Sequence, residues 1–238
     1  MNINISEKTI DDKYFLRKPI KTKILTQDDD IINIVKQYTD GIRKKNDIIV
    51  ISESPVAITQ GRAINENIIK VGLLAKLLWK GVRNVKYGVG LRSKISMQCA
   101  IDECGHLRII VAAIIGFLGK MIGKRGVFYK IAGKQAALID AAHTSPIPPY
   151  DKTVIKGPLH ADEICRKIKK ITGNDTAIMD INNIGGSWVI GKSSGINSEL
   201  LEKIMLDNPQ GQQDELTPIC LVRPVREFSY GIWEKTDD

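Results

Sequence analysis

Aromatic side chains make up only 5% of this 238-residue chain, and none interleave with basic residues in the pattern of a single-strand nucleic-acid surface. That scarcity makes nucleic acid the weaker candidate partner. Cysteine is sparse too: Cys99, Cys104, Cys165 and Cys220 form no CxxC pair and have no histidine at zinc-finger spacing. The N-terminus does not read as a signal peptide. A reduced, cytoplasmic protein is the simplest reading. The longest apolar run, Ile109 to Gly119, is well short of the roughly 20 residues that span a bilayer. It reads as a buried helix rather than a membrane contact. No internal repeat or low-complexity segment is visible.

What the chain does have is enough apolar sequence, 43%, to bury a sizeable core without staples. The net charge of +8 is unevenly spread: between Lys70 and Lys134 thirteen basic residues face only Asp102 and Glu103, a local excess of +11. The remainder is slightly acidic. Such a segment attracts anions, from nucleic acid or a membrane surface to a phosphate-bearing small molecule, or is simply a solvated lysine face.

The pattern predicts a helix in "TQDDDIINIVKQYTDG", capped by Asp28 or Asp29 and stopped at Gly41. A strand at Asp47 to Ser52 follows, then a turn at Ser54-Pro55. A second helical stretch runs from Ile68 to Trp79, ahead of Gly-rich extended sequence. "GVFYKIAG" and "KQAALID" read as short strands, and "SPIPPYDK" as a loop. Further on come a helix over "ADEICRKIKKIT" with Ile164, Ile168 and Ile171 inward, a strand from Asp175, a helix capped by Asn197 or Ser198, and a closing strand "PICLVRP". Strands and helices mix without a βαβ repeat, so the expected class is α+β in a single domain, with a polar tail over 225–238.

"GSWVIGKS", from Gly186 to Ser193, matches the phosphate-loop pattern G-x-x-x-x-G-K-[ST] letter for letter. A phosphate loop needs flexible inner residues and a helix starting at the Lys-Ser. Here the inner residues Ser187, Trp188, Val189 and Ile190 favour a strand, and "SSG" delays the next helix to about Asn197. The reading is against a P-loop, while Lys192 remains able to meet phosphate in another geometry.

Two apolar stretches, each read as a strand, end in aspartate: "KQAALID" at Asp140 and "DTAIMD" at Asp180. Carboxylates at strand ends commonly hold Mg²⁺ or Mn²⁺. Forty residues separate them, enough for a crossover and a helix, so the two strands are expected side by side. The bland alternative is a pair of solvated or helix-capping aspartates. Gly61-Arg62 offers a tight turn and a planar fork for phosphate, or an ordinary surface arginine. His143 either orients Asp140 or is a loop histidine, and Cys165 reads as a buried thiol.

In order, "TQDDDI", "KNDIIVISESPVAITQGR", the stretch to Asp140, "IKGPLHADEICRKI", "AIMDINNIGG", "WVIGKSSGI" and "GQQDELTPICLVR" resemble the coenzyme F420-0:L-glutamate (gamma-glutamyl) ligase family over about residues 20–224. The resemblance implies an α+β fold, a homodimer, GTP as co-substrate and Mg²⁺ or Mn²⁺. It implies that a carboxylate activated as acyl phosphate is joined to the amine of L-glutamate. It also implies Asp140, Asp180 and Gln212 as metal-side residues, and Gly61, Arg62 and Lys192 as phosphate-side residues. The partners would be a nucleotide and an anionic small molecule, with no nucleic acid and no membrane.

The chain departs from the family pattern in three places. The family's K-x-x-S-K-x-E-G-R turn carries Ser54, Ala57, Ile58 and Gln60 here, with only Gly61-Arg62 retained. Its H-G-x-x-x-A-N-A-G-x-D strand is reduced to Asp140, and its D-x-x-G-R-P-W-R becomes Asp180 followed by "INNIGG". These losses leave a second class open, a metal-dependent nucleotide or metabolite binder without ligase turnover.

Overall fold

The computed structural model describes residues 5–81, 91, 93–124, 126–182, 186–211 and 213–225. The expected polar tail from residue 226 on, the Gly-rich stretch over 82–90 and Gln212 lie outside them, while Val225, expected to begin the tail, ends a strand. In chain order the strands are β1 (Ser6–Ile10), β2 (Lys13–Ile20), β3 (Ile48–Ser52), β4 (Ala63–Asn65), β5 (Thr153–Ile155), β6 (Thr176–Asn182), β7 (Gly186–Lys192) and β8 (Ile219–Val225). The helices are α1 (Ile31–Thr39), α2 (Glu53–Thr59), α3 (Leu73–Leu78), α4 (Lys94–Cys104), α5 (His106–Met121), α6 (Val127–Ala132), α7 (Lys134–Ala137), α8 (Ala161–Thr172) and α9 (Ser198–Met205). The class is α+β, as the sequence implied. The chain divides into two compact units, Met1–Val56 with His160–Asp238, and Ala57–Leu159.

The first unit is a six-stranded mixed sheet in the order β1-β2-β8-β3-β6-β7. Among the described strands, β3 and β6 alone run parallel, with Ser52 opposite Met179. Period-2 alternation sends Val50, Ala177, Met179, Cys220 and Val222 to one face, against Leu201, Ile204 and Met205 of α9. Ile49, Ile51, Ile178 and Leu221 on the other face are also fully buried, which is why β3 and β6 read as continuous apolar runs. At one end of the sheet Asp47 takes Arg223 as a two-pronged partner, Nε at 2.7 Å and Nη2 at 2.8 Å. Asn174 donates to the carbonyls of Lys44 and Asp47 beside it.

Several local expectations need correction. Asp30, not Asp28 or Asp29, caps α1, accepting from the amides of Ile32 and Asn33. Asp29 instead accepts from Thr26 and pairs with Lys23. The supposed turn at Ser54-Pro55 is helix α2, where proline sits in the first turn and no amide is missed. In α8, Ile164 and Ile168 face inward but Ile171, in the last turn, is 42% exposed.

The second unit combines a two-stranded antiparallel sheet of β4 and β5 with α3 to α7, which lie between those strands in the chain. Met97, Cys99, Ile101, Ile109, Ala112, Ala132, Ala136 and Val154 form its core. The helix expected over Ile68 to Trp79 is shorter, α3 alone with 3₁₀ turns on either side. "GVFYKIAG" and "KQAALID" form α6 and α7 rather than strands. Ala132, Ala136 and Ile139 recur at helical spacing and are buried together, and Gly126 and Gly133, at φ +75° and +99°, set the breaks. The apolar run of α5 is not buried as expected: only Ile109, Ala112 and Gly119 turn inward.

Candidate functional site

The phosphate-loop lookalike is strand β7, antiparallel to β6, and no helix begins before Ser198. Its glycines serve packing. A Cβ on Gly191 would stand 2.5 Å from the backbone carbon of Ala161 and 2.7 Å from the amide nitrogen of Asp162. The neighbouring Lys192 amide donates to the Asp162 carboxylate at 2.8 Å. Ser193 and Gly195 hold Asp175, through a hydroxyl at 2.5 Å and an amide at 3.2 Å, while Lys169 donates from 2.7 Å. Burial pushes the Asp175 carboxyl up, but these donors outweigh it and hold it below the usual range. The Lys192 ammonium spends one donor on the Ile196 carbonyl at 3.0 Å.

Asp180 leaves the parallel pair at its carboxyl end. In sheets with parallel strands that end is where ligands commonly meet the fold. Its carboxylate is half-buried, makes no hydrogen bond or ion pair among the described residues, and is pushed up by burial alone. Met179 is level with Ser52, so Glu53, which follows Ser52 and is also buried, leaves β3 at the same end. Gln210 joins them there. Its amide donates to Ser52 Oγ and the Thr217 carbonyl, both at 3.1 Å, while its buried Oε1 has no partner among the described residues.

These are hard oxygen atoms, the donor type for Mg²⁺ or Mn²⁺. No group of three or more His, Cys, Asp or Glu side chains suited to a metal occurs among the described residues. A closed protein cage is therefore not present there. Mg²⁺ is commonly held by one or two carboxylates together with substrate phosphates, and Asp180 is a carboxylate of that kind, at the same end of the sheet as the orphaned Gln210 oxygen.

Of the other expected site residues, Gly61, Arg62 and Asp140 lie in the second unit. Gly61, at φ +69°, closes α2 by donating to the Ile58 carbonyl. Arg62 is not a loose surface side chain. Its Nε donates to the Gly157 carbonyl at 2.7 Å, and its Nη2 to Glu103 at 2.6 Å and, more weakly, to Gln135 at 3.4 Å. Lys156 reaches the other Glu103 oxygen at 3.2 Å. Burial raises the Glu103 pKa, and the two cations reverse that and leave it below the usual range. Gln60 clamps Leu159 with two hydrogen bonds of 2.9 Å.

Asp140 ends no strand. Its amide and carbonyl bridge Ile155, at 2.8 and 3.1 Å, while β6 has β3 and β7 as neighbours. The side-by-side pair of aspartate-ended strands is thus not formed, because the segment before Asp140 is helical. His143 places its ring 3.1 Å from Glu66, the loop-histidine alternative. Cys165 is a buried thiol pushed up to about 12 by burial, unsuited to nucleophilic work.

Sequence reasoning missed Glu53, Gln210, Glu103 and Lys156. For Glu53 the signal was present, a carboxylate directly after an apolar strand, the same feature that picked out Asp180. Gln210 had none, since its place depends on the return of the chain to Ser52.

No curated protein matches this chain significantly. The profile of the F420-0:Gamma-glutamyl ligase family does, over residues 19–195. That match takes in β3, the Asp140 bridge, β6 and β7, in the order in which the fold uses them, and the chain belongs to the F420-0:Gamma-glutamyl ligase family.

Proposed function

We propose that this member of a ligase family forms an amide between a carboxylate acceptor and L-glutamate, using GTP and Mg²⁺ or Mn²⁺. The γ-phosphoryl group of GTP passes to the acceptor carboxylate, giving an acyl phosphate and GDP. The glutamate amine then attacks the acyl carbon, phosphate leaves, and the amine loses its proton. The observation that carries this reading is Asp180: a half-buried carboxylate at the carboxyl end of the parallel pair, with no cation paired to it among the described residues. A divalent ion there would screen the charge of the nucleotide phosphates during transfer.

In the same proposal Asp140 and Gln212 act on the metal side. Gly61, Arg62 and Lys192 act on the phosphate side, where Lys192 retains ammonium donors beyond the one it gives to Ile196. The basic stretch from Lys70 to Lys134 draws in an anionic acceptor, the cytoplasm is the working compartment, and the enzyme is a homodimer.

A second reading, a nucleotide or metabolite binder without turnover, is favoured by one observation. In the turn where the family carries K-x-x-S-K-x-E-G-R, Ala57 and Ile58 are core residues and Gln60 is spent on Leu159. Incubation with coenzyme F420-0, L-glutamate, GTP and Mn²⁺, followed by mass spectrometry, separates the two. A glutamylated product with equivalent GDP supports the ligase, and nucleotide binding without either product supports the binder.

A further inference from the structure

Among the described residues, one large apolar side chain of a β-strand is left exposed. Trp188 of β7 is 39% exposed, whereas the other exposed large apolar residues lie in helices or in loops. β7 ends the six-stranded sheet, with β6 on its inner side. The register sets Trp188 directly opposite Asp180. Opposed residues of an antiparallel pair share a face, with Cβ atoms about 4.5–5.5 Å apart. The exposed indole therefore stands beside the carboxylate that has no hydrogen bond or ion pair among the described residues.

Two glycines on the same face show what bounds this spot. Gly186 lies opposite Asn182, whose side-chain amide occupies the space a Cβ would need and accepts from the Gly186 amide at 2.9 Å. Gly191 lies opposite Ile178, and the first residues of α8 rest against it. Asp180 and Trp188 thus sit between the Asn182 side chain and the start of α8. Asp180 is the less exposed of the two, so the carboxylate lies deeper and the indole nearer the rim. That order matches a nucleoside polyphosphate. A metal at Asp180 would hold its charged end, and its flat base is the other end. An aliphatic side chain could pack at the rim equally well, but a ring adds a flat face for stacking.

We propose that Trp188 is the surface on which the base of the nucleotide stacks. The proposal rests on the metal and nucleotide reading of Asp180 and adds to it the residue that holds the base. Stacking uses a π-face that every base has, so Trp188 supplies affinity without selecting guanine over adenine.

Calorimetric titration of the full chain tests this with GTP and with inorganic tripolyphosphate, each in the presence and absence of Mn²⁺. The proteins are the wild type, Trp188→Ala, Trp188→Leu and Trp188→Phe, and circular dichroism checks that they fold. Loss of an aromatic stacking partner weakens binding of a base by about 5- to 150-fold. Expected is a loss of that size for GTP in Trp188→Ala and Trp188→Leu, with partial recovery in Trp188→Phe. Tripolyphosphate, which has no ring, should bind all four proteins alike, a contrast that a packing defect would not produce. Folded Trp188→Ala that binds GTP as the wild type does overturns the stacking and leaves the reading of Asp180 standing. Equal losses for GTP and tripolyphosphate, or full recovery in Trp188→Leu, also overturn it, by making the indole a packing residue. A wild type that binds neither ligand in a Mn²⁺-dependent way overturns the reading of Asp180, and the stacking with it.

Discussion

Replacing Arg62 by alanine separates a phosphate-binding arginine from a structural brace. In the structure its guanidinium joins Glu103, the Gly157 carbonyl and Gln135, and both ionic side chains are 13% exposed. Removing one partner of a buried pair costs about 3–5 kcal/mol. Lys156 stays 3.2 Å from the second Glu103 oxygen and keeps that carboxylate partly compensated, so the loss belongs at the lower end, ~3 kcal/mol. For a chain of this length each kcal/mol moves Tm by about 2–4 °C, so a fall of roughly 6–12 °C is expected. Thermal and urea unfolding followed by circular dichroism measure it. Arg62→Lys, which keeps the charge but loses the fork, should recover only part. An Arg62→Ala protein of unchanged stability would refute the bracing role and leave Arg62 to the phosphate side alone.

Two further outcomes follow from packing and titration. Gly191→Ala forces a Cβ onto the backbone of Ala161 and Asp162, and should destabilise the first unit by about 1–3 kcal/mol; an unchanged urea midpoint would show that β7 and α8 yield at no cost. Glu103 and Asp175 have folded-state pKa values below the ordinary carboxylate range, so the unfolded chain binds more protons in that window. Their contribution is present above the unfolded values of about 4 and is lost as pH falls through the folded ones. Melting temperature should drop steeply below about pH 4, and less steeply in Glu103→Gln; identical slopes would contradict this.

Much of the first unit was legible because local and tertiary preferences agree there. α1, α8 and α9 show the helical period, β3 and β6 are compact apolar runs, and Asn197 caps α9 as its side chain suggests. The second unit was less so. Val127, Phe128 and Tyr129 favour strands locally, but Ala132 of α6 and Ala136 of α7 pack into the core of this unit, and tertiary packing wins over weak propensity. The exposure of α5 was illegible for a related reason: an apolar run does not say whether the surface that covers it comes from the same molecule. Asp180 was found from the sequence because it directly follows an apolar run, although β6 itself continues to Asn182. Gln210 was not, because its partner Ser52 is 158 residues away in sequence.

The central claim is that Asp180 belongs to a metal and nucleotide site, and calorimetric titration of GTP tests it most directly. The titration is run with and without Mn²⁺ on the wild type, Asp180→Asn and Asp140→Asn. The account expects Mn²⁺-dependent binding in the wild type and its loss in folded Asp180→Asn, with a parallel loss in Asp140→Asn. Binding that persists unchanged in Asp180→Asn, or that ignores Mn²⁺, would contradict it.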